Sequence, residues 1–174
     1  MNIMFNSVIP EFIYAFFLEF LWNNFTILNK ANIYNLKDLD DALQIKKECT
    51  SYTQLLNSIR FNFKEIEHLC FWDADNYSKI NIGNGSNYEL VLICWENNQS
   101  SSIHNHEGRE AITYVLKGEL TEDVFDGNIG GTQPEKTIIL ARRDISALID
   151  KQEKRHRLTN SYSGRSVSLH LYIK

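Results

Sequence analysis

The chain has 174 residues, enough to bury about two-thirds of the unfolded surface, so its length predicts one domain whose core needs no cross-links. The formal net charge is -4 and no run of lysines or arginines occurs, so the sequence has no basic patch that would bind nucleic acid or an anionic membrane. This charge balance favours a small neutral or zwitterionic partner. The three cysteines are far apart and form no CxxC pair, so we expect buried thiols and a cytoplasmic protein.

The first 70 residues have the periodicity of helices. Apolar side chains recur at three and four positions after Pro10, which predicts a helix that is apolar on more than half of its surface. Two glutamates interrupt this stretch and it is shorter than a bilayer span, so the pattern argues against a membrane helix. A second helix is predicted over residues 35–48, capped by Asn35 or Asp38, and one or two short helices over residues 51–69.

From about residue 76 the period changes to two. Short segments rich in β-branched and aromatic residues alternate with turn signals such as Gly83-Asn84-Gly85. Eight short strands with no helix between them predict a mainly β fold, a small double-sheet barrel or jelly roll. The whole chain is predicted to be one domain, helical over residues 1–70 and a barrel over residues 71–174. The predicted strands are residues 77–82, 88–95, 111–116, 121–125, 137–140, 145–149, 155–159 and 166–173.

Two histidines two positions apart, His104 and His106, predict a metal site. If their segment is an extended strand, both imidazoles leave the same face and bind one ion. A third ligand must come from the remaining histidines, His68, His156 and His170. His68 follows several charged residues on a solvated stretch, which indicates an ordinary surface histidine.

An ordered series of short motifs runs from residue 77 to the end of the chain. HisXHis, a glycine after the next predicted strand at Gly118, and HisXXXAsn from His156 resemble the two cupin motifs. In content and order the series also resembles the cysteine dioxygenases, and this implies a small cupin-type β-barrel that holds a metal ion in its mouth. The motifs are Tyr77-Ser78-Lys79, Leu92-Ile93-Cys94-Trp95, Ser101-Ser102-Ile103-His104-Asn105-His106, His156-Arg157 and Ser168-Leu169-His170-Leu171-Tyr172.

The resemblance implies a metal site without a carboxylate ligand. One Fe(II) per chain would be bound by His104, His106 and His156, with positions left open for a thiolate substrate and O2. Imidazole suits iron, nickel, copper and zinc alike, so the residue types alone do not choose the metal.

The resemblance also assigns residues around the metal. The Tyr172 hydroxyl is expected to face the substrate or oxygen. His170 and Ser168 are expected to belong to the same catalytic group and to orient Tyr172 through hydrogen bonds. These three alternate along the last predicted strand and so project from one face. Lys79, with Tyr77 beside it, is expected to bind the substrate carboxylate.

Three positions depart from the family pattern. Ala111 stands where animal members have a cysteine that cross-links to the tyrosine, and where many other cupins have a carboxylate ligand; Glu110, one residue earlier, is expected to point off the metal face. Lys79 stands where cysteine-specific members have an arginine, so the carboxylate contact loses the planar fork of a guanidinium. The sequence stops at Lys174, two residues past Tyr172, and we expect a more open barrel mouth.

These features lead to one leading function and two alternatives. The leading hypothesis is a cytoplasmic, monomeric thiol dioxygenase of cysteine catabolism that oxidises L-cysteine to cysteine sulfinate with both atoms of O2. The first alternative keeps the reaction and changes the substrate to another small thiol such as 3-mercaptopropionate. The second is a metal-binding cupin without catalytic activity.

Overall fold

Two antiparallel sheets contain all eight predicted strands. The computed structural model describes residues 32–46, 51–127, 133–148 and 154–174, and apart from Asn32 these belong to one unit, Ile33–Lys174. The strands are β1 (Ser78–Asn84), β2 (Tyr88–Trp95), β3 (Ala111–Lys117), β4 (Glu119–Phe125), β5 (Lys136–Ala141), β6 (Ile145–Leu148), β7 (Arg155–Thr159) and β8 (Ser166–Ile173). The larger sheet has the order β1-β2-β8-β3-β6 and the smaller has the order β5-β4-β7.

The helix α1 (Leu36–Gln44) precedes the sheets. It begins at Asn35, whose side chain accepts a hydrogen bond from the Asp38 amide at 2.8 Å, as the sequence predicts. The helix ends at Gln44, earlier than the predicted residue 48, and its C-cap is Ile45, whose amide donates to the Asp41 carbonyl at 3.1 Å. The prediction was therefore right about the start of the helix and too long at its end.

The second short helix, α2 (Tyr52–Asn57), follows. Ser51 and Gln54 exchange hydrogen bonds at its start, each side chain accepting from the backbone amide of the other. Two single turns of 3-10 helix, Phe63–Glu65 and Glu67–Leu69, lead towards the first strand. The predicted group of short helices before the barrel is thus confirmed for the described residues.

The outer face of the larger sheet packs against these helices. Val167, Leu169 and Leu171 of β8 are fully buried there. The Tyr88 hydroxyl donates a hydrogen bond to the Asp40 carboxylate at 2.5 Å, which ties β2 to α1. Each fully buried leucine contributes about 1.5–3 kcal/mol, and this interface is the larger of the two apolar clusters among the described residues. Its buried members before the first strand are Ile33, Leu39, Leu43, Leu55, Leu56, Ile59, Phe61 and Ile66.

A smaller core fills the space between the two sheets. Gly118, with φ +72°, forms the corner at which the chain passes from β3 in the larger sheet to β4 in the smaller one. A Cβ at this corner would collide with Ser166, so glycine meets both a conformational and a spatial requirement. The smaller core between the sheets consists of Val91, Ile93, Trp95 and Val115 from the larger sheet and Leu120, Leu140 and Leu158 from the smaller sheet.

The strand bounds follow the prediction closely. β2, β7 and β8 have the predicted bounds, and the other described strand ends agree with the prediction to within two residues. The mainly β jelly-roll fold, preceded by helices, is therefore confirmed. The helix predicted after Pro10 lies outside the described residues, and one domain for the whole chain stays a prediction. None of the helices that the structure describes has the length and apolar character needed to cross a bilayer.

Candidate metal centre

His104 and His106 lie in the connection between β2 and β3, so the extended strand considered for HisXHis is not formed. His104 forms an isolated bridge with His156 of β7, in which each amide donates to the carbonyl of the other, at 3.0 and 2.8 Å. The chain leaves this extended geometry directly after His106, because Glu107 and Gly108 both have positive φ. One bridge is nevertheless enough to place the ring of His104 beside that of His156.

Three imidazoles converge, as expected from the sequence. Nε2 of His106 lies 3.0 Å from Nε2 of His156, which in turn lies 3.2 Å from Nε2 of His104. The three ligand atoms all lie within 4.8 Å of one another, and among the described residues no carboxylate or thiol joins them. His68 is exposed and outside the cluster. The structure thus selects His156 as the third member.

The outer ring nitrogens decide where the lone pairs point. His104 Nδ1 lies 2.9 Å from the Ser102 carbonyl oxygen, and His156 Nδ1 lies 2.7 Å from Oε1 of Glu122. Both oxygens accept hydrogen bonds, so we assign the proton of each ring to Nδ1, which leaves a lone pair on Nε2. Two lone pairs 3.2 Å apart repel each other unless a cation lies beside both. The donor set therefore fits a metal ion bound through Nε2 atoms.

Glu122 on β4 supports this centre and was not predicted from the sequence. Its side chain is buried, and its second oxygen, Oε2, has no hydrogen-bond partner in the described part of the chain. A metal-bound histidine commonly donates its other ring nitrogen to a carboxylate, which fixes the ring and raises the basicity of the ligand atom. A buried carboxylate with an unsatisfied oxygen also favours a nearby positive ion. Strand alternation was the available signal, since Glu122 shares the inward face of Leu120.

Burial keeps two of the five histidines neutral at pH 7. It lowers the pKa of His104; the Ser102 carbonyl opposes this shift, while His156 and Lys79 add to it. Burial also holds the pKa of His170 well below its ordinary value, with a further contribution from the surrounding histidines. A neutral His104 is ready to bind a metal, and a neutral His170 retains one acceptor nitrogen.

The inner face of β8 carries the predicted row of polar residues. The Trp95 indole donates to the Ser168 hydroxyl at 3.0 Å, and this hydroxyl forms a second hydrogen bond with Nε2 of His170 at 2.8 Å. Nδ1 of His170 lies 3.4 Å from the Thr113 hydroxyl. The contact from His170 to Tyr172 is between their rings, whose centres lie 6.2 Å apart. Hydrogen bonds therefore fix His170, and packing on His170 orients Tyr172.

Tyr172 lies beside the metal cluster. Its ring centre is 5.4 Å from that of His106. Burial raises the pKa of Tyr172 to about 12; the charge of Glu89 adds to the shift and Arg109 opposes it. The hydroxyl therefore keeps its proton at neutral pH and can donate a hydrogen bond. Ala111 lies directly opposite Tyr172 in the β3–β8 register, the place where a cysteine would be within reach of the ring.

Glu110 points away from the metal, as expected. Its backbone carbonyl accepts a hydrogen bond from the Ile173 amide at 2.9 Å. Its charge acts on Tyr52, where burial is the larger of the two causes that raise the tyrosine pKa. Since Tyr52 belongs to α2, the Glu110 side chain lies on the helical side of the sheet. The metal cluster therefore contains no carboxylate from this position.

A cavity of about 380 Å³ opens beside the histidines. The predicted carboxylate-binding residue Lys79 lines it, whereas Tyr77 stacks on Trp95 at 4.6 Å, with the Lys79 ammonium 5.4 Å from its ring centre. Three further polar residues, Asn81, Glu89 and Arg109, line the cavity. No role was predicted for them, because their closeness to the histidines depends on strand register and on the conformation of a loop. The lining residues are Lys79, Asn81, Glu89, Val91, His104, His106, Arg109 and Tyr172.

The chain is similar to known proteins at the level of sequence. Cysteine dioxygenase type 1 of Danio rerio is 30% identical over 125 residues, which are 68% of this chain and 61% of that protein. Cysteine dioxygenase type 1 of Rattus norvegicus is 33% identical over 109 residues, 58% of this chain and 52% of that protein. The chain therefore spans little more than half the length of these relatives.

A solved structure and a family model complete the comparison. An uncharacterised protein with a double-stranded β-helix domain, from Klebsiella pneumoniae, superimposes with a TM-score of 0.51 at 15% identity, covering 62% of this chain and 80% of that one. This likeness supports the fold alone. The sequence model of the family cysteine dioxygenase type I matches residues 32–174, which include every described element. The chain therefore belongs to the cysteine dioxygenase type I family, and its fold is that of a cupin.

Proposed function

We propose that this protein is an iron-dependent thiol dioxygenase that converts L-cysteine and O2 to cysteine sulfinate. The observation that carries the proposal is the convergence of three Nε2 atoms beside Tyr172 at the wall of one cavity. Membership of the family supports the reaction class. We infer the specific substrate from the residues that line the cavity.

His104, His106 and His156 would hold the iron. When bound, Fe(II) supplies the redox chemistry by which O2 oxidises the thiol sulfur. Three neutral imidazoles bring no negative charge to the site, so a thiolate can join it without an excess of anionic ligands. The Glu122 carboxylate, on the far side of His156, keeps that ring in the tautomer that binds a metal.

The protein's own groups would orient the substrate. The Lys79 ammonium is placed to attract a carboxylate from one wall of the cavity. The protonated Tyr172 hydroxyl would donate a hydrogen bond to the oxygen atoms that form on sulfur. His170, fixed by Ser168 and Thr113, packs against Tyr172 and keeps this donor in place.

Isotope labelling tests the proposal. Iron-loaded protein incubated with L-cysteine under 18O2 should give cysteine sulfinate that carries label on both sulfinate oxygens, as measured by mass spectrometry. His104→Ala should abolish the product, and the exposed His68→Ala serves as the matched control with unchanged turnover. Sulfinate without 18O, or none from iron-replete wild-type protein, rejects the proposed reaction of L-cysteine and leaves the two alternatives, a dioxygenase of another small thiol and a metal-binding cupin without catalytic activity.

A second substrate is favoured by one observation, the lysine at position 79. An ammonium gives a point contact and orients a carboxylate less strictly than a guanidinium, which would admit thiol acids such as 3-mercaptopropionate. L-cysteine has an amine and 3-mercaptopropionate does not, so comparing the turnover of these two thiols decides between them. Lys79→Arg should improve the use of L-cysteine if the weak contact is the reason for a broader preference.

The monomeric state and the cytoplasmic location stay predictions. No charge pattern favours nucleic acid or a membrane surface as partner, so the proposed partners are a small thiol and O2. Sedimentation of the iron-loaded protein at several concentrations would test the monomer, because a self-associating chain would sediment faster as its concentration rises.

A further inference from the structure

The cavity contains a second cation, Arg109, on the wall formed by the connection to β3. Its backbone amide donates to the His106 carbonyl at 3.1 Å, and the two residues between them have φ values of 52° and 85°. These are the signs of a tight turn with two left-handed central positions. A Cβ on Gly108 would meet no atom within 4 Å, so glycine is needed there for conformation alone. The turn therefore starts at one metal-binding histidine and ends at Arg109.

Within the described part of the chain, neither cavity cation, Lys79 or Arg109, forms an ion pair. Glu89 lines the same cavity, but the contact described for its carboxylate is with the Asn81 amide, at 3.2 Å. Two positive charges beside a metal cluster favour an anionic group on the ligand.

We propose that Arg109 is a specificity-determining residue that, together with Lys79, holds the carboxylate of the thiol substrate. This inference rests on the proposed function and adds a second residue to the wall that would hold the substrate carboxylate. The planar guanidinium can form two parallel hydrogen bonds to a carboxylate, which a lysine cannot. Arg109, in the connection between β2 and β3, thereby supplies the planar guanidinium that is missing at position 79 on β1.

Binding without turnover tests the proposal. Iron-loaded protein is titrated in a calorimeter, in the absence of O2, with L-cysteine and with cysteamine, which has the thiol and amine but no carboxylate. Arg109→Gln should weaken L-cysteine binding about tenfold, the usual effect of losing a charged hydrogen-bond partner, and leave cysteamine binding within about twofold. Arg142→Gln, at an exposed arginine outside this cavity, should change neither.

Several outcomes are distinguishable. If Arg109→Gln binds L-cysteine with the same affinity as Arg142→Gln, the proposed role of Arg109 is overturned. The dioxygenase proposal then still holds, provided that wild-type protein forms sulfinate. Equal weakening of both ligands, or a lower iron content in Arg109→Gln, would show an effect through His106 and also overturns the role of Arg109. Absence of both thiol binding and sulfinate in iron-replete wild-type protein removes the proposed function and this inference together.

Discussion

The two faces of β8 carry different kinds of side chain. On the outer face, Val167, Leu169 and Leu171 are buried against the helices. On the inner face, Ser168 and His170 form a hydrogen-bonded pair and Tyr172 reaches the histidine cluster. Because successive side chains of a strand point to opposite sides, one segment of chain supplies both stability and the candidate site with different residues.

This separation implies that stability and metal chemistry respond to different substitutions. A change on the outer face removes apolar contacts with the helices and leaves the histidines in place. A change on the inner face or at the metal cluster removes polar contacts that contribute little to the apolar core. Five experiments test this separation.

The largest effect is expected at the metal cluster. His104→Ala removes one of three ligand atoms, so bound iron should fall to near zero after dialysis and sulfinate formation should be lost. Iron content is measured by atomic emission. The matched variant His68→Ala should retain iron at the wild-type ratio, and retention of iron by His104→Ala would show that the ligand assignment is wrong.

The outer face is tested next. Leu169→Ala creates a cavity among fully buried residues and should lower the free energy of unfolding by about 3 kcal/mol, measured by urea titration. Its iron content per folded chain should equal that of wild type. Ser168→Ala, the neighbouring change on the inner face, should cost less stability, and a similar loss in both variants would contradict the separation of the faces.

Tyr172→Phe removes a hydroxyl beside the cluster without changing the ring. We expect the rate of sulfinate formation to fall by about 10- to 100-fold, because one preorganised hydrogen-bond donor is lost. Iron content and the urea midpoint should stay close to those of wild type. An unchanged rate in a variant with full iron would remove Tyr172 from the proposed mechanism.

Glu122→Gln tests the support for His156. The amide oxygen can still accept the hydrogen bond from Nδ1, but the negative charge is lost, so iron affinity should fall about tenfold. Affinity is measured by competition with a chelator. Equal affinity of the variant and wild type would show that the charge of Glu122 does not contribute to metal binding.

A further effect is expected only at alkaline pH. The pKa of Tyr172 is raised to about 12 in the folded protein, whereas an unfolded tyrosine ionises near pH 10. Its contribution to stability is therefore fully present below about pH 10 and is lost as the pH rises towards about 12. Wild type should therefore become less stable relative to Tyr172→Phe as the pH rises over this range, and a constant difference would contradict the raised pKa.

Much of the fold could be predicted from the sequence. The alternation of apolar residues located all eight strands, and strands rich in β-branched and aromatic residues, such as β2 and β8, were placed to the residue. The apolar–polar alternation of β8 also predicted that Ser168, His170 and Tyr172 share a face. Local pattern suffices here because the faces of a strand follow from its own residues.

Other features depend on contacts between distant segments. The pairing of Glu122 with His156 requires the register of β4 against β7, which no local pattern determines. HisXHis resembles a strand segment, yet His104 forms only an isolated bridge and left-handed residues end the extension after His106. The place of Arg109 in the cavity follows from that turn, so it became visible only in the structure.

The reciprocal backbone bridge between His104 and His156 has a consequence for the order of folding. It joins residues 52 positions apart, so the metal-binding geometry is complete only after β7 has docked against the connection between β2 and β3. Because closing a loop of this length costs more chain entropy than forming a local contact, we expect this contact to form late. A metal ion that requires the finished bridge would therefore slow unfolding far more than it speeds refolding.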